Sequence, residues 1–152
     1  MEYQLVELEE KMVAGLIART NNNSPDMGHV ISGLWERFFG MGFYSSVVHK
    51  ADGKTLGIYT DYEGTETEDY SVLAACEVKS QKGQPDGITM KTIPAGTYAK
   101  FTAEEDVKDA VLKVWQQLWN MDLPRSFVCD FEEYETIEEG HIRVHIYIGL
   151  KK

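Results

Sequence analysis

One order of predicted elements, strand, helix, strand, strand, occurs twice in this sequence, and this repeat constrains the fold more than any other feature. Hydrophobic periodicity and turn residues divide the first half into a strand, a helix and two further strands, at 10–20, 27–40, 55–64 and 69–80. The second half shows the same order, with strands at 97–103, 126–135 and 141–150 and a helix that follows a capping box at 102–105 and ends around 120–124. Two such modules, about 10–80 and 89–150, fit side by side in one domain that spans residues 1–152.

Each predicted helix carries a single apolar stripe, which another element must cover. The stripes consist of Val30, Ile31, Leu34, Trp35 and Phe38 in the first helix, and of Val107, Ala110, Val111, Val114, Trp115 and Leu118 in the second. The expected helix boundaries are Ser24 with Pro25 and Gly40 for the first, and Thr102 with Glu105 and the breaker Pro124 for the second. The sequence therefore predicts an α+β fold, in which two helices pack on an antiparallel sheet with a central ligand cleft.

The segment FVCDFEEYE, at 127–135, reads as a strand although it carries four carboxylates. Strand alternation divides it between two faces, with Val128, Asp130, Glu132 and Tyr134 on one and Phe127, Cys129, Phe131 and Glu133 on the other. A carboxylate beside a tyrosine can meet a cation through both its charge and the ring face. From the residues alone, Glu132 is either solvated or part of a pocket, and Asp130 fits either role. Glu133 and Glu135 are expected at solvent or at an edge.

The charge balance excludes some classes of function. With 15 basic and 25 acidic residues, the chain has a formal net charge of -10, and no basic face is expected for the phosphates of a nucleic acid. No apolar run approaches the roughly 18–20 residues that span a bilayer, and the acidic N-terminus lacks the features of a secretory signal. The chain is therefore expected in the cytoplasm, without contact to membranes and without direct contact to nucleic acid.

Neither a metal nor a cofactor is predicted. The four histidines are scattered, and none belongs to an HxH or HExxH set on a helix. The glycines form no G-x-G-x-x-G or P-loop arrangement, and no nucleophile elbow is present. Cys76 and Cys129 lie in apolar strand-like sequence without zinc-ligand spacing, so they are expected to be buried reduced thiols.

Several segments together resemble the GyrI-like, or AraC-type, effector-binding domain, which is also the drug-sensing half of multidrug-responsive transcription regulators. They are LGIYTDYEG, YSVLAACEV, IPAGTYAKFTA, a helix with a tryptophan, DFEEYE and a final alternating strand, and they cover nearly the whole chain in family order. The most telling combination is PAGTYAKF followed by FE-x-Y. One departure is Gly149, which stands where the family usually has the proline of I-P-I. The length leaves no room for a DNA-binding domain, so the chain is expected to be similar to single-domain members, including drug-binding proteins carried on mobile gene cassettes.

The resemblance implies a ligand pocket around Glu132, the glutamate of the F-E-x-Y motif, with Tyr134 beside it. The aromatic walls expected with it are Trp35, Trp115, Tyr98, Tyr59 and Phe38, with Tyr44 as a weaker candidate. Core packing stays an open alternative for both tryptophans and for Phe38. Glu77 is a second acid typical of the family, and it either serves the pocket or pairs with a lysine or arginine. A buried unpaired carboxylate is costly, and a lipophilic cation that enters the pocket relieves this cost.

Three functions compete. The leading one is binding of lipophilic, often cationic, small molecules by a stand-alone sensor or drug-binding module, which buffers a drug or signals to a separate regulator. The second is an enzyme, because some GyrI-like proteins hydrolyse cyclopropane-containing genotoxins, and Glu132 would then be the general base. The third is an inhibitor that contacts gyrase through the acidic surface. No catalytic residue is assigned under the leading interpretation.

Overall fold

A computed structural model describes residues 3–21, 27–64, 68–103, 107–118, 120–138 and 141–151. Within these ranges the chain forms eight strands and three helices. In chain order they are β1 (Gln4–Leu8), β2 (Lys11–Thr20), α1 (Met27–Gly40), α2 (Phe43–Ser46), β3 (Thr55–Thr60), β4 (Tyr70–Glu77), β5 (Thr89–Ile93), β6 (Gly96–Ala103), α3 (Val107–Leu118), β7 (Arg125–Glu138) and β8 (His141–Leu150).

The predicted repeat is present in the sheet. The first module is β2-α1-β3-β4, and the second is β6-α3-β7-β8. The described strands form one antiparallel sheet in the order β1-β6-β8-β7-β3-β4-β2-β5. Because β7 and β3 are neighbours in the middle, each module supplies three adjacent strands to one half of the sheet. The α+β fold predicted from the repeat is confirmed.

The two edge strands, β1 and β5, are absent from the sequence prediction. β1 precedes the first module but pairs with β6 of the second, and β5 precedes the second module but pairs with β2 of the first. Both strands have five residues, most of them exposed or half-buried, so neither shows the hydrophobic pattern of a longer strand. Each half of the sheet is thus completed by the strand that leads into the other half.

Short connections force the sheet to curl. β1 and β2 stand six places apart in the sheet, as do β6 and β5, and six strand spacings in a flat sheet correspond to about 29 Å. Yet only Glu9 and Glu10 separate β1 from β2, and only Pro94 and Ala95 separate β5 from β6. A connection of three residue steps reaches about 11 Å at most. The sheet therefore bends until its two ends come close together.

The concave face of this curled sheet is a core made by strands alone. All eight strands contribute to one cluster on the face away from the helices, consisting of Val6, Leu8, Val13, Leu56, Ile58, Leu73, Ala75, Ile93, Tyr98, Cys129, Phe131 and Tyr147. Several of these residues, Val13, Leu73, Ile93 and Phe131, are fully buried although no helix covers them. Burial without a covering element follows from the curvature, and it leaves the helices to the convex face.

The two long helices lie on the convex face, each over its own module. In α1, Leu34 and Phe38 are fully buried against residues of β2 and β4, and in α3, Val114 and Leu118 pack on residues of β6 and β8. The predicted stripes are therefore confirmed at these positions. The central strands β7 and β3 run between the two packed regions. None of the described helices is long and apolar enough to cross a membrane.

The predicted helix boundaries are tested only in part. Gly40 is the last residue of α1, as the sequence predicts. Ser24, Pro25 and Glu105 lie outside the described residues.

Both cysteines are free and buried, as predicted. Cys76 belongs to the core beneath α1, whereas Cys129 belongs to the concave core. Burial raises the pKa of the Cys76 thiol to about 11 and that of the Cys129 thiol to about 12. Thiols with such pKa values are protonated at neutral pH and are poor nucleophiles.

We expect Gly15→Ala to lower the free energy of unfolding by about 2–3 kcal/mol, because it overpacks the sheet. A β-carbon on Gly15, in β2, would overlap the backbone oxygen of Ala74 and lie 2.5 Å from Cα of Ala75. The measurement is the urea midpoint at unchanged m-value. The control is Gly33→Ala in α1, where a β-carbon meets nothing within 4 Å. Alanine should stabilise this helix by about 0.5–1 kcal/mol, so equal midpoints for the two variants would contradict the tight packing at Gly15.

Candidate functional site

Glu132 lies in the middle of the sheet and points to the convex face. It pairs with Gly57 of β3 on one side and with Ile146 of β8 on the other. Paired residues of antiparallel strands share a face, and Ile146 belongs to the cluster beneath α3. The Glu132 side chain, which is 4% exposed, therefore lies on the floor between α1 and α3. The predicted alternation holds here, since Asp130 and Tyr134 occupy the same face as Glu132.

Neutral donors surround the Glu132 carboxylate. The indole Nε1–H of Trp115, in α3, donates to Oε2 over 2.7 Å, and the hydroxyl of Tyr134 donates to Oε1 over 2.6 Å. The Tyr59 hydroxyl also acts as a hydrogen-bond partner of Glu132. Among the described residues, no lysine or arginine forms an ion pair with Glu132. The carboxylate is thus hydrogen-bonded, but the described part of the chain supplies no counter-charge to it.

This environment favours the protonated acid more than water does. Burial raises the pKa of Glu132 above its ordinary value, while the hydrogen bonds from Tyr134, Trp115 and Tyr59 act in the opposite direction. Burial and the nearby Glu132 raise the pKa of both Tyr59 and Tyr134 far above the ordinary tyrosine value. Both hydroxyls therefore stay protonated and available as donors at neutral pH.

Four aromatic residues flank the carboxylate, and both modules contribute to them. Trp35 of α1 meets Tyr134 of β7 edge to face, with 5.8 Å between the ring centroids. Tyr59 of β3 meets Trp115 of α3 in the same way, with 5.5 Å between centroids. The structure thus brings five of the sequence-predicted site residues together around one point.

A cavity of about 500 Å³ lies next to this group, on the α1 side. Its lining consists of Trp35, Phe39, Tyr44, Gly53, Thr55, Tyr134 and Ile142. Phe39 is 51% exposed and Ile142 is 42% exposed, so they form its solvent-facing border. Tyr134 connects the cavity with the group around Glu132, because its ring lines the cavity while its hydroxyl donates a hydrogen bond to Glu132.

Asp130 is the second buried carboxylate of the same strand face, and it has a cationic partner. It is fully buried, and its Oδ2 accepts from Arg125 Nη2 over 2.9 Å and from the Tyr62 hydroxyl over 2.6 Å. Burial raises the pKa of Asp130, whereas Arg125 lowers it. The sequence left open whether Asp130 is solvated or part of a pocket. In the structure it has a structural role, as one partner of a buried ion pair with Arg125.

Gly149, where the chain departs from the I-P-I pattern, completes the Asp130 network. Its backbone N–H donates to Asp130 Oδ1 over 2.9 Å, a bond that proline could not form. A β-carbon at this position would also lie 2.6 Å from the backbone oxygen of Cys129. β8, which carries Gly149, lies between β6 and β7 and is therefore an interior strand of the sheet.

Three predicted site residues lie away from Glu132. Tyr98, expected as an aromatic wall, lies on the concave face, where its hydroxyl donates to the Pro94 carbonyl over 2.7 Å and its ring packs against Phe131. Glu77 forms an ion pair with Lys11 over 3.2 Å, which is the alternative left open for it. Phe38 is fully buried beneath α1 and contacts Trp35 edge to face, so it supports a wall from behind.

Glu133 and Glu135 also differ from expectation, because both are half-buried rather than solvent-facing. Together with His145 they form a cluster on the opposite face from Glu132, with donor atoms within 4.8 Å of one another. The protein itself supplies positive charge there. Lys54 Nζ lies 3.8 Å from Glu133. Burial lowers the pKa of His145, and the positive charges of Lys100 and Arg143 act in the same direction, against Glu133 and Glu135. The cluster is therefore an internal network of mixed charge.

Gly57 is one of the site residues that the sequence analysis missed, together with the cavity-lining residues Phe39, Gly53, Thr55 and Ile142. A β-carbon on Gly57 would lie 3.3 Å from Trp35 Cζ2, 3.4 Å from Glu132 Oε1 and 3.8 Å from Tyr134 Cε2. A β-carbon at this position would therefore have to push the indole of Trp35 away by a few tenths of an ångström. The available signal was a glycine inside an apolar strand, which often marks a close approach of another group.

The chain matches known proteins over almost its whole length. A family model described as integron-associated effector binding protein matches residues 4–150. Among curated proteins, none matches the chain in sequence.

Solved structures show the same fold at low identity. An integron cassette protein from the mobile metagenome of Vibrio cholerae is 24% identical, over 98% of this chain and 95% of that chain, with a TM-score of 0.78. SAV2435, in a structure with bound tetraphenylphosphonium, is 21% identical, over 99% and 94% of the two chains, with a TM-score of 0.79. The C-terminal domain of EcmrR is 16% identical, over 100% and 99%, with a TM-score of 0.59.

We expect Glu132→Gln to stabilise the fold at neutral pH. The raised pKa means that ionisation of Glu132 costs stability, and this cost is absent below the pKa of the unfolded chain and grows as pH rises through the pKa of the folded protein. Glutamine carries no charge at this position, so Glu132→Gln should have the higher free energy of unfolding at pH 7.5. Urea unfolding between pH 4 and pH 8 measures it, and the two proteins should converge near pH 4.

The matched control is Asp130→Asn, on the same strand face. It removes the carboxylate that Arg125 contacts, and loss of one partner from a buried ion pair costs about 3 kcal/mol or more. Opposite signs for the two variants at pH 7.5 are therefore expected. A pH-independent difference between wild type and Glu132→Gln would show that Glu132 does not titrate as a buried acid.

Proposed function

The chain belongs to the integron-associated effector binding proteins, and from this premise we propose that it binds lipophilic cationic small molecules at Glu132, as a stand-alone sensor or drug-binding module. The observation that carries the proposal is a buried carboxylate beside an aromatic cavity, with no cationic partner among the residues that the structure describes. Asp130, two residues away, has its arginine. The contrast singles out Glu132 as the carboxylate whose counter-charge is to come from outside.

Charge supplies the selectivity in this proposal. A neutral lipophilic molecule gains only the burial of apolar surface, at about 25 cal/mol per Å². A cation of the same shape gains in addition the attraction of a carboxylate in a medium that screens charge poorly. It also interacts with the faces of the surrounding rings. The cation should therefore bind more tightly than its neutral analogue.

Aromatic walls supply breadth. The cavity volume of about 500 Å³ falls within the range of about 300–1,000 Å³ that is usual for small-molecule sites. Trp35, Phe39, Tyr44 and Tyr134 offer flat apolar surface without a fixed pattern of donors and acceptors. Such a surface accepts many ligand shapes, so the proposed ligand class is defined by charge and lipophilicity rather than by one scaffold.

A hydrolase is the second candidate, because the raised pKa of Glu132 suits a general base at neutral pH. Against it, both carboxylate oxygens already accept hydrogen bonds from Trp115 and Tyr134, and the group is almost inaccessible to water. Release of product from a cyclopropane-containing substrate, abolished in Glu132→Gln, would favour the enzyme. The gyrase partner and a linked regulator stay predictions from the sequence, as does the cytoplasmic location.

The binding proposal is tested with two ligands of matched shape, methyltriphenylphosphonium, which is cationic, and triphenylphosphine oxide, which is neutral. Tryptophan fluorescence should report both, because Trp35 and Trp115 flank the site. In the wild type we expect the cation to bind at least about tenfold more tightly than the oxide. In Glu132→Gln this preference should fall below about threefold, while the affinity for the oxide stays unchanged.

The control variant is Glu133→Gln, which removes a neighbouring carboxylate on the opposite face of the same strand. It should keep the full preference for the cation, which excludes a general effect of net charge. Equal affinity for the two ligands in the wild type would refute the proposed electrostatic selectivity.

A further inference from the structure

The cavity and the carboxylate are adjacent but separate. Glu132 is not among the residues that line the cavity, whereas Trp35 and Tyr134 line it and also lie against Glu132 or its neighbour Gly57. The edges of these two rings therefore stand between the space for an apolar ligand body and the charge that would attract it. A ligand seated in the cavity reaches Glu132 only where the two rings leave room.

Gly57 lies at the place where the edges of the two rings approach Glu132. On β3, Thr55 lines the cavity, and Gly57 is the next residue of the same face, about 7 Å further along the strand. Gly57 is also the direct cross-strand partner of Glu132. The position of its missing β-carbon is bordered by Trp35 Cζ2, Glu132 Oε1 and Tyr134 Cε2, at 3.3, 3.4 and 3.8 Å. The two rings that border the cavity and the carboxylate that would attract a cation therefore all lie next to Gly57.

A glycine at this position is unfavourable for the strand itself. Glycine in a strand interior loses more conformational entropy on folding than alanine, and it offers no side chain to pack. Gly57 does not have a positive φ that would require glycine. The reason for a glycine is therefore the space above it rather than the backbone conformation.

We propose that Gly57 determines ligand specificity, because its missing side chain leaves a passage the size of about one methyl group between Trp35 and Tyr134. Through this passage, a carbon bonded to the cationic centre of a ligand in the cavity approaches Glu132. This inference rests on the proposed function and assigns a further residue to it. Gly57 touches no charge itself. It controls how closely a cation approaches the carboxylate, and so it acts on the preference for cations over neutral molecules.

The test is Gly57→Ala, titrated with methyltriphenylphosphonium and triphenylphosphine oxide. A methyl group over Gly57 fills the passage but leaves the cavity, so the affinity for the cation should fall about tenfold while that for the oxide changes less than about twofold. The control is Gly33→Ala, where a β-carbon meets nothing within 4 Å, and both affinities should stay as in the wild type. Circular dichroism and the melting temperature verify that each variant is folded.

A merely structural role of Gly57 gives a different result. If alanine only displaces the Trp35 ring, it disturbs the cavity wall, and the affinities for the cation and the oxide fall together. That outcome, or an unchanged affinity for the cation, overturns the inference. The double variant Gly57→Ala with Trp35→Phe adds a rescue, because phenylalanine lacks the Cζ2 atom that borders the passage. The cation preference should then recover at least partly.

Two further outcomes keep the inference apart from the proposed function. If Glu132→Gln abolishes the cation preference and Gly57→Ala retains it, the inferred role of Gly57 is wrong, but the proposed binding of cations at Glu132 is supported. If the wild type shows no cation preference, the proposed function itself fails. Should Gly57→Ala not fold, Trp35→Phe alone provides the test, since a wider passage should raise the ratio of cation to oxide affinity about twofold. A lower ratio would overturn the inference.

Discussion

The connections from β1 to β2 and from β5 to β6 join strands that stand six places apart in the sheet, although each connection has only two residues outside the strands. The sheet must curl to satisfy both, and the rest of the molecule follows from that curvature. Because the two ends of the curled sheet come close together, residues on its concave face bury one another without help from the helices. Both long helices are therefore left to the convex face, one over each module, and the central strands β7 and β3 run between them. This arrangement creates a floor between two helices, and the candidate site is built on it.

On that floor, one strand face carries two buried carboxylates, which differ in how their negative charges are compensated. Asp130 contacts Arg125 and thereby belongs to the permanent framework. Within the described ranges, Glu132 accepts hydrogen bonds from an indole and from tyrosine hydroxyls, which stabilise its charge in part, and no lysine or arginine there pairs with it. The net charge of -10 gives no indication of this difference, because it concerns two residues whose surroundings come from distant segments. The distribution of cationic partners, rather than the number of acids, identifies the candidate site.

Much of the site could be predicted from periodicity. Alternation along β7 places Glu132 and Tyr134 on one face, and the helix stripes direct Trp35 and Trp115 toward the sheet, where they meet the carboxylate from two sides. The family resemblance predicts Tyr98 as an aromatic wall of the pocket. The residues of β6 alternate between the two faces of the sheet, however, so Ala99 and Phe101 face α3 while Tyr98 faces the concave core. Gly57 could not be recognised as a site residue, because a glycine has no side-chain chemistry and its importance lies in the three groups that surround it.

Residue spacing within single elements predicts the two modules, the α+β class, the buried faces of the long helices and the face shared by Glu132 and Tyr134. Four features become visible only in the folded chain: β1 and β5 complete the opposite halves, the sheet curls, Arg125 pairs with Asp130 rather than Glu132, and Gly57 lies beneath Trp35. Each of these depends on pairing between segments far apart in the chain. Hydrophobic periodicity tells which side of an element is buried, but it carries no information about which element lies across from it.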